Sequence, residues 1–242
     1  MEKDNIIKHL FEFWEHIGEA GGFLYKENDY MYTAPQKWSW PSKVFNISQE
    51  CNIEELQQAI QMGELPNSIG IHQDDISLKN TLLANHFIET SSVKGMYKDI
   101  SLTEPTQKVF NTIKLVTTEA EAHSFAEIAS SSFGYEVLPS TIIEALIKNK
   151  QSIKAFIGQY EGIYVSCGMI FLDNEGNSGI HMIGTISSHR GLGLGKTMTE
   201  QLIDEAHRNN SKTIFLVASE SGERIYSKIG FVASGALLSL KY

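Results

Sequence analysis

His189-Arg190-Gly191-Leu192-Gly193-Leu194-Gly195-Lys196 follows a strand-like segment, Gly179 to Ile186, and opens a helix-like one, Lys196 to Arg208. Its alternating glycines carry no Cβ, so successive main-chain N–H groups can turn toward one point. With the positive end of the following helix, those donors make a site for a phosphate or pyrophosphate. A plain glycine turn between strand and helix is the other reading of the same residues. Two phosphate motifs nearly match and then fail. Gly195-Lys196-Thr197 has the ending of a P-loop, but Arg190 stands where that motif needs its first glycine. The dinucleotide fingerprint G-x-G-x-x-G needs a third glycine where Lys196 stands, and an early βαβ unit as well.

Outward from the loop, helical and extended patterns alternate. Thr112 to Thr117 reads as a strand. Glu119 to Phe133 carries Ala122, Phe125, Ala126, Ile128 and Ala129 at near-helical spacing, and Gly134 ends it. Pro139-Ser140 precedes a second short helix, with Ser140 as its expected cap. Ile153 to Gln159 and Ile163 to Leu172 are β-rich runs joined at Glu161-Gly162, a hairpin-type break. Asp173 to Asn177 turns into the strand that feeds the loop, where Gly184 suits a bulge or a close ligand approach. After the loop, Leu194, Met198, Leu202 and Ala206 recur every fourth residue, so the helix buries one face. Thr213 to Ala218 is nearly all apolar, which fits a strand covered on both sides. Residues 112–242 therefore read β-α-α-β-β-β-α-β-α-β.

Read as Arg190-x-x-Gly193-x-Gly195, the loop resembles the Gln/Arg-x-x-Gly-x-Gly/Ala motif of the GNAT superfamily of N-acetyltransferases. Ile225-Tyr226-Ser227-Lys228-Ile229-Gly230-Phe231 is similar to the helix-to-strand ending of the same fold, and the elements between follow its order. The resemblance covers a little over half the chain. It implies an α/β protein with a mixed sheet: a GNAT acyltransferase fold in residues 106–242, behind a smaller α/β domain in residues 1–105. It implies acetyl-coenzyme A as co-substrate, its pyrophosphate held by Arg190, Gly191, Leu192, Gly193, Leu194, Gly195, Lys196 and Thr197. It also implies that the preceding strand splays from its neighbour, with Thr185, Ile186 and Ser188 lining the pantetheine path.

The reaction so implied is direct attack by a primary amine on the thioester. Tyr226 would then be the acid that protonates the departing sulfur; the alternative is a ring packed between helix and sheet. Ser219 stands where the family often has an asparagine contacting the coenzyme, and a hydroxyl cannot present an amide's donor and acceptor together. Many relatives carry a glutamate base on the strand before the loop, and this strand has none. His181 is the only titratable side chain there, and a water chain is the alternative route. His189 fits a role in holding the cofactor, while Glu220 and Glu223 face the acceptor or merely charge a helix start. A non-catalytic coenzyme A sensor or partner-binding module is the rival from another class.

Composition bounds the rest. The chain has 242 residues, enough for one large or two smaller cores. Its net charge of −9 argues against a nucleic-acid partner and makes Arg190 and Lys196 stand out locally. Cys51 and Cys167 give no disulfide framework and fit a reducing compartment. The start lacks a secretory pattern, and no apolar run nears the roughly 20 residues that span a bilayer. The expectation is a cytoplasmic enzyme without metal, membrane or nucleic acid, taking a small-molecule amine or peptide acceptor, with a homodimer as candidate assembly.

The first half is less legible. Asn5 to Ile17 and Ile53 to Met62 read as helices, and Asp29 to Thr33 and Lys43 to Ile47 as strands. Trp14, Trp38 and Trp40 gather here with Tyr25, Tyr30 and Tyr32, as an acceptor pocket or as the core of a small domain. The run Thr81 to Ile88, leading to a strand with Met96, echoes Tyr226 to Phe231 leading to Leu240. Residues 1–105 then read as a degenerate GNAT-like copy without the glycine loop, or as a chance likeness. If a copy, the acceptor site lies between the halves. Glu104-Pro105-Thr106-Gln107 is the expected linker.

Overall fold

The computed structural model describes residues 2–101, 103–105, 110–148 and 151–242, so the expected linker lies partly outside the described residues. The first half contains α1 (Glu2–Gly21), β1 (Leu24–Lys26), β2 (Met31–Thr33), β3 (Lys43–Phe45), α2 (Ile53–Gln61), β4 (Ile69–His72), α3 (Ile76–Ala84) and β5 (Ile88–Asp99). The second contains β6 (Ile113–Leu115), α4 (Glu119–Phe133), α5 (Pro139–Lys148), β7 (Ile153–Tyr160) and β8 (Ile163–Leu172). It continues with β9 (Ser178–Thr185), α6 (Leu194–Arg208), β10 (Thr213–Ala218), α7 (Glu220–Lys228) and β11 (Val232–Lys241). The order expected from residue 112 onward is the order found. No helix among the described residues is long and apolar enough to cross a membrane.

Local chemistry explains the boundaries. Thr118 Oγ1 accepts the Glu121 N–H at 3.3 Å while the Glu121 carboxylate accepts the Thr118 N–H at 3.1 Å, a reciprocal cap that starts α4. Gly134, at φ 76°, ends it in the left-handed conformation. α5 begins at Pro139, whose missing N–H would have been unpaired in a first turn anyway. Ser140 thus lies inside the helix and is not the cap expected of it. Glu161 and Gly162, at φ 51° and 82°, make the two-residue turn that matches the twist of β7 and β8.

The eleven strands of the described residues form one sheet, in the order β1-β2-β3-β4-β11-β5-β10-β9-β8-β7-β6. β5 pairs antiparallel with β10 from Asp99↔Thr213 to Lys94↔Ala218. β11 pairs antiparallel with β4 and with β5. The last strand of each half therefore lies beside the other half, and neither half closes its sheet alone. β6 apart, the order reads alike from both edges. β1, β2 and β3 are antiparallel neighbours and β3 runs parallel to β4; β7, β8 and β9 are antiparallel neighbours and β9 runs parallel to β10.

One face is covered by α1, α4 and α5, where Ile6, Leu10, Phe13, Trp14 and Ile17 of α1 are all buried. Burying side chains of this size stabilises by roughly 1.5–3 kcal/mol each. α6 and α7 pack over a second core that includes Met198, Leu202, Ile214 and Phe231, and a third lies beneath α2 and α3.

Candidate functional site

The glycine loop is built as an open helix end. Gly193 is the N-cap of α6 at φ 80°, with no side-chain cap, and Gly191 stands at φ 81°. The first helical bond is Thr197 N–H to Gly193 O at 3.0 Å, so the N–H groups of Leu194, Gly195 and Lys196 are left for an outside acceptor. No acidic residue occupies that first turn. The space over Gly195 is empty, for a Cβ added there would meet nothing within 4 Å. Arg190 fastens the loop, its Nε donating to Thr185 O at 3.2 Å and an Nη to Ser132 O at 3.1 Å. Both partners are carbonyls, and no carboxylate pairs with its charge among the described residues. Lys196 is exposed, with Glu200 at 3.7 Å. Thr197 returns its hydroxyl to Gly193 O at 3.2 Å, and Ser188 Oγ lies 2.9 Å from His189 Nδ1.

Behind the loop the sheet opens. β9 and β10 pair only at Ser178↔Ile214, Gly179↔Phe215 and Ile180↔Leu216. From His181 to Thr185 the β10-facing edge of β9 has no strand partner among the described residues, although its other edge still pairs with β8. The register with β8 shifts between Met169↔His181 and Cys167↔Gly184, so Met182 and Ile183 together stand opposite Gly168. Met182 sits at φ 54°, inside that bulge. The bulge expected at Gly184 thus lies just before it; Gly184 instead admits α4, since a Cβ there would fall 2.8 Å from Ser132. Ile186 has its N–H spent within the protein, and only its C=O keeps a lone pair for a further donor. Its N–H donates to Val165 O and its C=O accepts the His189 N–H, both at 3.0 Å.

The side chains expected to do chemistry fall in three settings. Tyr226 on α7 is half-buried, its ring edge-to-face with Phe231 at 5.9 Å and close over Gly222. Burial pushes its phenol up to about 12, so it stays protonated far past neutrality. Ser219, at the end of β10, caps α7 by accepting the Gly222 N–H at 3.3 Å. Glu223 is held by Lys94 of β5 at 2.7 Å. His181 is 7% exposed, stacked on Phe13 at 3.9 Å between centroids, with its Nε2 3.4 Å from His9 Nε2. His9 in turn binds Asp173 Oδ2 through Nδ1 at 2.8 Å. Burial, with His9 alongside, holds His181 well below the ordinary imidazole range. These surroundings oppose the role of base expected of it.

A family model described as an acetyltransferase (GNAT) domain matches residues 115–239. The chain belongs to that family. Acyl transfer is accordingly its class of chemistry. No curated protein sequence matches it. Among solved structures, it resembles a GCN5-related N-acetyltransferase from Kribbella flavida at 14% identity and TM-score 0.67, over 94% of this chain and 93% of that one. A putative GNAT acetyltransferase from Novosphingobium aromaticivorans matches at 9% identity and TM-score 0.63, over 95% of both chains. A glucosamine N-acetyltransferase region of a fungal multi-domain β-N-acetylglucosaminidase matches at 10% identity and TM-score 0.59, over 90% of this chain and 30% of that one. At such identities the likeness is one of fold, and it spans both halves. The GNAT match itself begins after β5, so this GNAT sheet takes a central strand from outside the matched residues. Sequence reasoning missed that strand exchange, the bulge at Met182 and the Ser132 carbonyl that anchors Arg190. None of the three leaves a local signal in residue type.

Proposed function

We propose that the protein is an N-acetyltransferase that moves the acetyl group of acetyl-coenzyme A onto a primary amine by direct attack. The observation that carries this reading is one juxtaposition: the unpaired edge of β9 runs straight into the uncapped N-terminus of α6. The residues present fit the coenzyme. The amides of Leu194, Gly195 and Lys196 would hold its diphosphate, with Arg190 and Lys196 supplying charge. The free main-chain edge of β9 at the bulge would receive the extended pantetheine and polarise the thioester carbonyl; one such oxyanion donor contributes roughly 3–4 kcal/mol. Tyr226, kept neutral by burial, donates its proton to the leaving sulfur. The proton of the attacking amine passes to water, which restores the one Tyr226 gives up, because His181 is enclosed and disfavoured as a base. We read residues 1–105 as a degenerate copy of the same fold that completes the sheet and borders the acceptor side.

A second reading, coenzyme A binding without turnover, draws on His181 in the core and on Ser219 spent as a helix cap. Calorimetry with acetyl-coenzyme A, ATP–Mg²⁺ and NAD, followed by thiol release over a panel of amines, separates the two. Binding of the acyl carrier with release on at least one amine supports transfer. Binding with no release on any amine supports the sensor, and no binding of the carrier ends both.

A further inference from the structure

A cavity of about 690 Å³ opens on the α1 side of the first half, between the segment 38–43, the start of β4, and strands β5 and β11. Trp14, Trp38 and Trp40 all line it, with Tyr135 from the loop between α4 and α5. They are the chain's only tryptophans. Lys43 enters from β3, its Nζ donating to Ser68 Oγ at 2.6 Å and to Ser239 Oγ at 2.9 Å. An ammonium carries three protons, so one remains for a further acceptor. Among the described residues no carboxylate pairs with Lys43, and the neighbouring charge is a second lysine, Lys241, also on the lining. Burial and that neighbour push Lys43 down to about 8. Two lysines on one lining with no carboxylate paired to either among the described residues are unexpected in a chain with 29 acidic and 20 basic residues.

A third observation points to the same ligand. Ser39, on the lining, is 4% exposed and its Oγ has no hydrogen-bond partner. A buried hydroxyl left unpaired is costly, and turning about its side-chain torsion toward an acceptor in the cavity would relieve that cost. The donors number few, and the lining contains no arginine. That suits the two oxygens of a carboxylate better than a phosphate, which asks for more donors and more charge. The walls are flat and aromatic, and Trp38 is 47% exposed, so an apolar body has surface left to cover.

We propose that this cavity binds a small molecule with one carboxylate head and a flat apolar body. The head sits on Lys43, Lys241 and Ser39, and the body lies against Trp38 and Trp40. This site does not depend on the acyl-transfer reading, since it concerns binding in the absence of coenzyme A.

Because every tryptophan lines the cavity, emission excited selectively from tryptophan is a readout confined to it. Phenylacetate and hydrocinnamate are titrated against their matching amides and against phenyl phosphate, in wild type, Lys43→Met and Lys43→Arg. The expected result is a saturable emission change in wild type with the carboxylates at least tenfold tighter than the amides. The preference should vanish in Lys43→Met and persist in Lys43→Arg. Lys241→Met with Ser39→Ala should weaken it severalfold, which keeps the test intact should Lys43→Met fail to fold. The absence of a saturable carboxylate signal, an unchanged preference in Lys43→Met or in the double variant, or tighter binding of phenyl phosphate would each overturn the proposal. Coenzyme A calorimetry on the same samples reports on the α6 loop separately.

Discussion

The N-termini of α2 and α6 hold matching places in the two halves, each leading from a strand to that strand's parallel neighbour, yet only one is open. At α2, Asn52 Oδ1 accepts the N–H groups of Glu54 and Glu55 at 3.2 and 3.3 Å, and both glutamates charge the first turn. An anion arriving there would displace a cap worth about 1 kcal/mol and meet two carboxylates. At α6, Gly193 offers no cap, no acid stands in the first turn, and Lys196 is present. Both helices have the same dipole. What decides whether such an end takes a phosphate is the side chain at the N-cap and the charge of the next three positions.

The largest expected effect comes from separating the halves. Residues 106–242 expressed alone lack β5, which lies between β10 and β11. They should show no cooperative thermal transition, and co-expression with residues 1–105 should restore one. A sharp transition in the isolated fragment would break the picture of interdependent halves.

Gly195→Leu comes next. Nothing in the protein opposes a side chain there, and a helix favours leucine over glycine by roughly 0.5–1 kcal/mol. The melting temperature should hold or rise while coenzyme A affinity by calorimetry falls about a hundredfold, near 2.7 kcal/mol. Tyr226→Phe should lower kcat by roughly a hundredfold with coenzyme A affinity retained. Since burial raises that phenol to about 12, the wild-type kcat profile should show no falling limb from it between about pH 8 and 10.

Smaller effects belong to the first half. The Lys43 ammonium is pushed down to about 8 in the folded chain, while an unfolded chain keeps its proton to about 10.4. Its charge therefore destabilises the fold fully below pH about 8, and the cost fades as the pH climbs toward 10.4. Lys43→Met should gain roughly 2 kcal/mol by urea unfolding at pH 7 and almost nothing above about pH 10.5. Last, Asn52→Ala should cost about 1 kcal/mol of stability and leave coenzyme A binding untouched, the mirror image of Gly195→Leu.

What was legible in the sequence was local. The fourfold spacing of Met198, Leu202 and Ala206, the stop of α4 at Gly134 and the turn at Glu161-Gly162 each write their own geometry over a few residues. β1 and β4 were missed because runs of three and four residues, one of them interrupted by Gly70, are too short to show alternation. The uncapped start of α6 was legible because its glycines and free donors lie within a few neighbouring residues. His181 was not, because its partners Phe13 and His9 come from α1, far along the chain. The cavity escaped for the same reason: Lys43, Ser68 and Ser239 meet only through strand pairing. Met182 takes a backbone conformation that its side chain gives no reason to expect.

The exchange of β5 and β11 also orders events during synthesis. β4 and β5 are made well before the strand that fills the gap between them, which is the last of those described. Until it arrives, β4 and β5 expose unpaired edges at what will become the middle of the sheet. The seam between β4 and β5 closes only when β11 pairs with both, after β10 has already joined β5 to the second half.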